Sequence, residues 1–333
     1  MYEKKILVMG GTGAMGMYLV PLLSSMGYTV DVPSLIVPAT EDEHIHYFYA
    51  NCKDPQILDS LLANDYEAIY DFLIYPGHEF EKVYEKLLQH TKHYIFFSTY
   101  RVYAGEAPIT ESSPRLLDVS TNKEFLAVAE HEYSLYKAMA EDVLRKSSYK
   151  NYTIVRPSIT YSTERFQLVT CEADTVVHRA MAGKTLLLPE TAISVQGTMT
   201  WAGDTARMLA AILLNENAYG ETYTLATAEH HAWGEIAEYY RDLIGLKYEF
   251  IPEEDYLSLF GTGPFPGYQL RYDRLFERKI DNTKILTLAG MKQSELMPLY
   301  EGLKKELGAL PKDFVWNKNG LNDAMDAYLN NRK

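Results

Sequence analysis

The hydrophobic residues of this chain form short apolar runs that alternate with longer stretches of helical periodicity. Each run ends near Gly, Pro, Ser or Asn, as the buried strands of a parallel sheet do. In the first half of the chain the predicted strands are residues 5–9, 28–32, 45–49, 68–74, 94–97 and 153–155. The predicted helices between them are residues 17–26, 79–89, 123–146 and one that begins after Asp54. This rhythm predicts an α/β fold with a doubly wound parallel sheet.

Four glycines lie between the first strand and the first helix, and three of them have the spacing Gly10-x-x-Gly13-x-x-Gly16. Glycine lets the backbone approach a pyrophosphate closely, and the amides at a helix N-terminus favour negative charge. The strand–turn–helix context predicts a dinucleotide site of Rossmann type, although a turn that serves packing alone has the same pattern. Ser34 falls at the end of the second strand, with no Lys or Arg nearby in the sequence to pair with a 2′-phosphate. This favours NAD and leaves NADP open.

Beyond about residue 165 the alternation weakens and helical periodicity dominates. A predicted helix at residues 205–214 precedes a predicted strand at 222–225, and we expect this segment to return to the large sheet. The sequence therefore predicts two domains. Residues 1–165 plus about 202–230 would form the NAD(P)-binding Rossmann domain, and residues 166–201 and 231–333 a smaller, mostly helical substrate-binding cap.

Composition narrows the class of protein. The chain has 333 residues, 47% of them hydrophobic and 23% charged, and two cysteines, which fits a globular protein of a reducing compartment. The formal net charge of −13 opposes sequence-independent binding to nucleic acid. No apolar run approaches the length of a membrane span, and His44 and His46 have no third ligand beside them to hold a metal. We expect a cytoplasmic protein without a nucleic-acid, membrane or metal partner.

Candidate chemistry lies in Tyr133 and Lys137, which share one face of the predicted helix at residues 123–146. A nearby ammonium favours the phenolate form of a tyrosine, and a phenolate can accept the proton of a substrate hydroxyl. Thr99 follows a strand, and ligands sit at the carboxyl ends of parallel strands. Taken by itself, the Tyr–Lys pair is also compatible with an ordinary surface pair. The ordered set of glycine turn, Thr99 and Tyr133-x-x-x-Lys137 favours catalysis.

This ordered set resembles the extended short-chain dehydrogenases/reductases of the NAD-dependent epimerase/dehydratase family, in particular its sugar-nucleotide epimerases. The resemblance spans nearly the whole chain. Its matching stretches are Gly10-Gly11-Thr12-Gly13-Ala14-Met15-Gly16, Phe97-Ser98-Thr99-Tyr100-Arg101-Val102-Tyr103, Tyr133-Ser134-Leu135-Tyr136-Lys137, Val155-Arg156-Pro157, Trp201-Ala202-Gly203-Asp204 and Asp281-Asn282-Thr283-Lys284.

The resemblance implies a role for each matching residue. Tyr133 would be the catalytic acid/base, Lys137 would bind the nicotinamide ribose and lower the pKa of the tyrosine, and Thr99 would fill the Ser/Thr position. Asn51 falls where the family often has an Asp that contacts adenine, so this contact is altered. The residues expected to hold the cofactor are Gly10, Gly13, Ala14, Met15, Gly16, Ser34, Asn51, Phe72, Leu73, Lys137 and Pro157.

Four positions depart from the family pattern. Tyr100 and Arg101 stand where dehydratases of the family carry an Asp-Glu pair for β-elimination. Ile159 replaces an Asn, and Gly197 an Arg, that contact a nucleotide diphosphate in sugar-nucleotide enzymes. The arginines that could replace these contacts are Arg101, Arg156, Arg165, Arg271 and Arg274. We expect Tyr100, Arg101, Ile159 and Arg271 to be the substrate-binding residues.

Three hypotheses follow. The first is an NAD(P)-dependent epimerase that transiently oxidises a hydroxyl-bearing carbon of an activated sugar, such as a sugar nucleotide. The second is a reductase or dehydrogenase of a ketone or alcohol that carries no nucleotide. The third is a non-catalytic, cofactor-sensing or RNA-associated member of the same fold. The resemblance also implies a homodimer that pairs through the predicted helices at residues 79–89 and 123–146.

Overall fold

The computed structural model describes residues 4–105, 108–311, 314, 316, 317 and 319–332. In chain order its strands are β1 (Lys5–Met9), β2 (Thr29–Ser34), β3 (Ile45–Tyr49), β4 (Tyr66–Asp71), β5 (Thr91–Phe97), β6 (Tyr152–Pro157), β7 (Ile159–Tyr161), β8 (Gln167–Leu168), β9 (Cys171–Glu172), β10 (Thr185–Pro189), β11 (Gln196–Gly197), β12 (Met199–Trp201), β13 (Thr222–Leu225), β14 (His231–Ala232) and β15 (Lys247–Ile251).

The helices include two short ones before the candidate catalytic helix and a series that builds the C-terminal part. In chain order they are α1 (Gly16–Ser25), α2 (Pro55–Leu62), α3 (Tyr84–Gln89), α4 (Leu116–Val119), α5 (Lys123–Ala127), α6 (Tyr133–Lys146), α7 (Ala173–Met181), α8 (Ala202–Ile212), α9 (Trp233–Ile244), α10 (Glu253–Ser258), α11 (Phe265–Gln269), α12 (Thr283–Ala289), α13 (Leu299–Gly308) and α14 (Gly320–Asn331). No helix among the described residues combines the length and the apolar character needed to cross a membrane.

Seven strands form one parallel sheet in the order β13-β6-β5-β4-β1-β2-β3. The interior strand β1 is apolar on both faces, because Ile6 and Val8 pack into one core and Leu7 and Met9 into the other. Helices α1 and α8 cover the first face, and α2, α3 and α6 cover the second. The expected α/β doubly wound sheet of Rossmann type is confirmed.

The chain beyond β6 contributes to this sheet and also builds a core of its own. Strand β13 pairs with β6 at the sheet edge, and α8 packs into the same core as α1. Helices α7, α9 and α13 pack with the parallel pair β10 and β15 in a separate hydrophobic cluster. The candidate site therefore has the carboxyl ends of the large sheet on one side and this second cluster on the other.

The predicted helix at residues 123–146 is wrong in one respect, because it is two helices, α5 and α6. Glu132 has an extended backbone (φ −84°, ψ 126°), and its carboxylate accepts hydrogen bonds from the amides of Ser134 and Leu135. Such capping starts a new helix at the next residue. Tyr133 is consequently the first residue of α6 and does not lie in the middle of a long helix.

Two other predicted boundaries also differ from the structure. Strand β4 ends at Asp71 and not at residue 74, since the Asp71 carboxylate accepts a hydrogen bond from the amide of Leu73 and turns the chain. The helix expected at residues 79–89 begins as a 3₁₀ turn, Phe80–Lys82, and breaks at Val83 before α3.

Candidate functional site

The glycine turn connects β1 to α1, and the structure gives a different reason for glycine at three of its positions. Gly10 has a φ of +71°, which favours glycine. A Cβ on Gly16 would lie 2.0 Å from the carbonyl oxygen of Gly11, so this position requires close backbone packing. A Cβ on Gly13 would meet nothing within 4 Å. The open space at Gly13 is what a phosphate group at the start of α1 would fill.

A cavity of about 280 Å³ lies on one side of this turn and contains four of the predicted cofactor residues. Its lining is Gly10, Pro33, Ser34, Leu35, Ile36, Ala50, Asn51, Cys52, Lys53 and Leu73. The hydroxyls of Ser34 and Thr12 lie 2.8 Å apart, which ties the end of β2 to the turn. Lys53 is the single cation in this lining of described residues, and its ammonium donates to Glu79 at 2.9 Å. We call this space the turn cavity.

A second cavity, of about 370 Å³, lies on the other side, at the carboxyl ends of β4, β5 and β6. We call it the central cavity. It brings together most of the remaining predicted residues, namely Met15, Phe72, Thr99, Tyr100, Arg101, Tyr133, Lys137, Pro157 and Ile159. The C-terminal part of the chain closes it with Arg165, Glu172, Gln269 and Arg274. The rings of Phe72 and Phe97 stack at 3.9 Å between centroids in its wall.

Lys137 lies at the base of the central cavity and is 3% exposed. Its Nζ donates hydrogen bonds to the carbonyl oxygens of Phe97 (2.7 Å) and Leu73 (3.3 Å). An ammonium has three donors, so one remains for a ligand hydroxyl. Burial lowers the pKa of Lys137 to about 8, because removal from water penalises the charged form.

Tyr133 is half-buried in the cavity wall and has two cations beside its ring. The Arg101 guanidinium lies 5.2 Å from the ring centroid, and the Lys137 ammonium lies 5.9 Å from it. Burial raises the pKa of Tyr133, while the charges of Arg101 and Arg165 oppose that rise. The sequence interpretation gave the stabilising charge to Lys137 alone, whereas Arg101 is closer to the ring.

Thr99 is positioned by the end of β5 and by the turn that follows it. Its hydroxyl oxygen accepts a hydrogen bond from the Arg101 amide at 3.2 Å, which caps the 3₁₀ turn Tyr100–Val102. The hydroxyl proton of Thr99 remains available to a ligand in the cavity. The neighbouring Ser98 donates instead to the buried carboxylate of Glu141 at 2.6 Å.

A cluster of buried charges stands behind Tyr100 and Arg101. Asp273 forms ion pairs with Arg101 (3.2 Å), with Arg278 (3.1 Å) and with its neighbour Arg274. Burial would raise the pKa of Asp273, but the three arginines lower it. Arg101 also pairs with Glu132 at 3.1 Å. We call Arg101, Glu132, Asp273, Arg274 and Arg278 the arginine cluster.

Sequence reasoning missed Asp273, Arg278 and Glu132. Asp273 lies directly before the candidate Arg274, and Glu132 directly before Tyr133. An acidic residue beside each of two candidate site residues is a signal that could have drawn attention to both. Their ion pairs with Arg101 join segments that are far apart in the chain, and no periodicity in the sequence predicts such a contact.

Several predicted residues lie elsewhere. Arg271 is 56% exposed and donates to Glu253 at 2.8 Å, so the structure does not bring it to the central cavity. Arg156 is buried and forms hydrogen bonds with Glu141 at 2.8 and 2.6 Å, which fixes α6 to β6. Ala14 is part of the turn itself. Among the described residues no group of three or more His, Cys, Asp or Glu side chains could hold a metal ion.

Comparison with known proteins gives two curated matches of different kinds. The profile of the NAD-dependent epimerase/dehydratase family matches residues 6–226. The chloroplast stem-loop binding protein of 41 kDa b from Arabidopsis thaliana is 25% identical over 251 residues, which are 71% of this chain and 62% of that protein. The match therefore spans less than two thirds of the relative's length.

Solved structures share the fold over most of the chain. An epimerase of Methanothermobacter thermautotrophicus aligns with a TM-score of 0.71 and 16% identity, and the alignment covers 91% of each chain. UDP-glucose 4-epimerase of Thermotoga maritima, solved with UDP-glucose, gives 0.67 and 17% over 91% of this chain and 97% of that one. UDP-glucuronic acid 4-epimerase of Bacillus cereus, solved with UDP-glucuronic acid and NAD, gives 0.65 and 18% over 91% and 98%. The chain belongs to the NAD-dependent epimerase/dehydratase family.

Proposed function

We propose that this protein is an NAD-dependent epimerase that oxidises a hydroxyl-bearing carbon of a sugar and reduces it again on the opposite face. The observation that carries the proposal is the convergence of Thr99, Tyr133 and Lys137 in one cavity beside the glycine turn. The family supports an NAD(P)-dependent enzyme, and structural neighbours at 16–18% identity include sugar epimerases.

The residues of both cavities fit a dinucleotide that extends across the turn. Gly13 and the start of α1 would hold the pyrophosphate, Ser34 and Asn51 the adenosine, and Lys137 the nicotinamide ribose. Phe72, Leu73 and Pro157 would complete the cofactor walls. When bound, NAD supplies the hydride acceptor and donor that epimerisation requires. The turn cavity offers no cation besides the ion-paired Lys53 among its described residues, which supports NAD over NADP.

The chain's own groups would move the proton. Tyr133 would accept the proton of the substrate hydroxyl through its phenolate and return it after the carbonyl has formed and turned. Arg101 and Lys137 would stabilise that phenolate, since both cations lie within 6 Å of the ring centroid. Thr99 would donate a hydrogen bond to the substrate oxygen.

Elimination of water has less support than epimerisation. It needs a base that removes a carbon-bound proton and an acid that protonates the leaving hydroxyl. The single carboxylate in the described lining of the central cavity is Glu172, which pairs with Arg165 at 3.4 Å and accepts from Gln167 at 2.6 Å.

The test is the removal of one hydroxyl. Tyr133→Phe should lower kcat for epimerisation about 10²- to 10⁴-fold and leave NAD binding intact, because only the proton acceptor is lost. Tyr136 lies three residues after Tyr133 on α6 and outside the described lining of the cavity. Tyr136→Phe is therefore the matched control and should retain activity. Epimer formation is followed by NMR and NAD binding by calorimetry.

Wild-type turnover in Tyr133→Phe would refute the proposed mechanism. Net consumption of added NAD(P)H with a ketone would identify the protein as a reductase instead.

A second candidate function is RNA binding, and the observation that favours it is the match to the stem-loop binding protein. The formal net charge of −13 opposes it, because RNA affinity depends on neutralised phosphates. A gel-shift titration with a stem-loop RNA at two salt concentrations tests it. Specific, salt-sensitive binding would support this candidate.

A further inference from the structure

Gly197 packs against Trp233, and Trp233 in turn contacts Arg274, a lining residue of the central cavity. A Cβ on Gly197 would lie 2.9 to 3.1 Å from three atoms of the Trp233 indole, so the indole fills the space where a side chain would extend. Trp233 is 1% exposed, and its Nε1 donates to the carbonyl oxygen of Arg274 at 3.0 Å. Position 197 therefore has no room for a longer side chain.

Ile159 lines the central cavity itself. It is 3% exposed, because it pairs with Met199 between β7 and β12 and belongs to the hydrophobic cluster of the C-terminal part. An apolar side chain in this position cannot hydrogen-bond a phosphate. Neither Ile159 nor Gly197 therefore offers a side-chain hydrogen bond to a nucleotide diphosphate.

The volume of the cavity limits its contents further. It measures about 370 Å³, near the lower end of the range of about 300–1,000 Å³ for ligand pockets. The same volume is lined by Phe72 and Pro157, which the proposed function assigns to the cofactor walls, and by Lys137, which it assigns to the nicotinamide ribose. What remains suits a single sugar ring better than a sugar joined to a nucleotide.

The charges that line the cavity indicate which kind of monosaccharide would bind there. Arg101, Arg165, Arg274 and Lys137 line the cavity together with one carboxylate, Glu172. Arg274 uses four of its five N–H donors, because it donates to Val169, Gln167, Asp273 and Tyr100. Arg101 and Arg165 keep unused donors. Within the described residues Nη1 of Arg101 forms no hydrogen bond, and Arg165 is 38% exposed with one contact, to Glu172.

We propose that the substrate is a monosaccharide that carries one anionic group, a carboxylate or a phosphate, and no nucleotide. Arg101 and Arg165 bind the anionic group, and Asp273 and Glu132 orient Arg101 for this contact. The inference rests on the proposed function for the position of the reacting carbon. The inference is carried by the apolar side chain of Ile159, by the packed space at Gly197 and by the cationic lining of the cavity.

The experiment compares ligands on the NAD-loaded full-length protein by calorimetry. The probes are glucuronic acid and galacturonic acid, glucose 6-phosphate and galactose 6-phosphate, neutral glucose, and UDP-glucose. At least one of the anionic monosaccharides should bind about tenfold more tightly than glucose and than UDP-glucose. The two pairs of acids distinguish a carboxylate substrate from a phosphate substrate.

Substitutions of Arg165 and Arg101 then test whether these residues bind the anionic group. Arg165→Met should weaken binding of the preferred acid about 10- to 100-fold, since a charged hydrogen bond is lost, and should change glucose binding less than about twofold. Arg101→Met should do the same. Because Arg101 also pairs with Asp273, Arg165→Met keeps the test independent of folding. Arg241→Met, at an exposed arginine on α9 that pairs with Glu238, is the matched control and should change neither affinity.

The outcomes separate the two proposals. If UDP-glucose binds most tightly, or if the acids bind no better than glucose, the inference about the substrate is overturned and the epimerase proposal stands. If an acid binds and Arg165→Met weakens it, but the wild-type protein neither epimerises that acid nor shows reduced nicotinamide with it, the substrate class holds and the proposed function fails.

Discussion

Lys137 combines features that a sequence can predict with one that it cannot. Its spacing from Tyr133 predicts a shared helix face, and both side chains reach the central cavity. The two carbonyl contacts and the burial that lowers its pKa to about 8 depend on the ends of β4 and β5, which are distant in sequence. Helical periodicity therefore predicts neither the carbonyl contacts of Lys137 nor its burial.

The lowered pKa of Lys137 predicts a pH dependence. Because burial raises the pKa of Tyr133, the reactive phenolate–ammonium pair holds one proton fewer than the pair does at low pH, so kcat/KM should rise with pH up to about 8. Above that pH the neutral pair and the phenolate–ammonium pair hold the same number of protons, so kcat/KM should level off. The apparent pKa of this change belongs to the coupled Lys137–Tyr133 pair. The measurement is kcat/KM for epimerisation between about pH 6 and 10.

Lys137→Arg serves as the control, because a guanidinium stays protonated over this range. Its residual activity should keep rising above about pH 8, since only Tyr133 then titrates. A wild-type profile without a change of slope near pH 8 would contradict the role of the Lys137 charge.

Among the elements, the glycine turn was predicted in place and context from the sequence alone. The sequence could not predict which glycine is required for packing and which leaves space for a ligand. This depends on the atoms that a side chain at each position would contact. Gly16 faces the carbonyl of Gly11, whereas Gly13 faces open space. One glycine therefore serves packing, and the other leaves room for a ligand.

This division predicts opposite effects for two equal substitutions. Gly16→Ala should destabilise the fold by about 3 kcal/mol, since its Cβ would overlap backbone atoms. Gly13→Ala should leave stability unchanged or raise it by up to about 1 kcal/mol, because alanine restricts the unfolded chain. It should weaken NAD binding at least about tenfold by filling the phosphate space.

Urea unfolding and calorimetric titration with NAD measure the two effects separately. Unchanged NAD affinity in a folded Gly13→Ala variant would contradict the assignment of this space to the pyrophosphate.

Element boundaries show where sequence patterns lose information. The strands of the large sheet were predicted within a few residues, because their apolar runs are buried on both faces. The ends of β4 and the start of α6 were misplaced, since side-chain caps at Asp71 and Glu132 set them. The hydrophobic pattern of a sequence does not predict where one side chain caps a helix or ends a strand.

For the molecule as a whole, a buried glutamate of the C-terminal part ties it to the first helix. Glu306 on α13 is 1% exposed and accepts hydrogen bonds from Tyr18 on α1 (2.5 Å), from the Trp201 indole (2.7 Å) and from the Thr163 amide (2.8 Å). Both carboxylate oxygens are used. The sequence predicted the parallel sheet, but it could not predict this contact between α1 and α13.

Glu306→Gln should lower the free energy of unfolding by about 1–3 kcal/mol, because the amide group leaves one buried donor without an acceptor. Glu301→Gln, at an exposed position of the same helix, is the control and should change it by less than about 0.5 kcal/mol. Thermal and urea unfolding measure both. Equal stability of the two variants would show that the three contacts of Glu306 contribute little.

The arginine cluster has a consequence for how the chemistry of this site can be changed. Arg101 is the counterion of both Glu132 and Asp273, and Glu132 also caps the helix that begins with Tyr133. An Arg101→Glu exchange, made to install an eliminating carboxylate, would crowd three negative charges into one buried space. Conversion to a dehydratase would therefore require coordinated replacements, so that directed evolution by single steps would have to cross poorly folded intermediates.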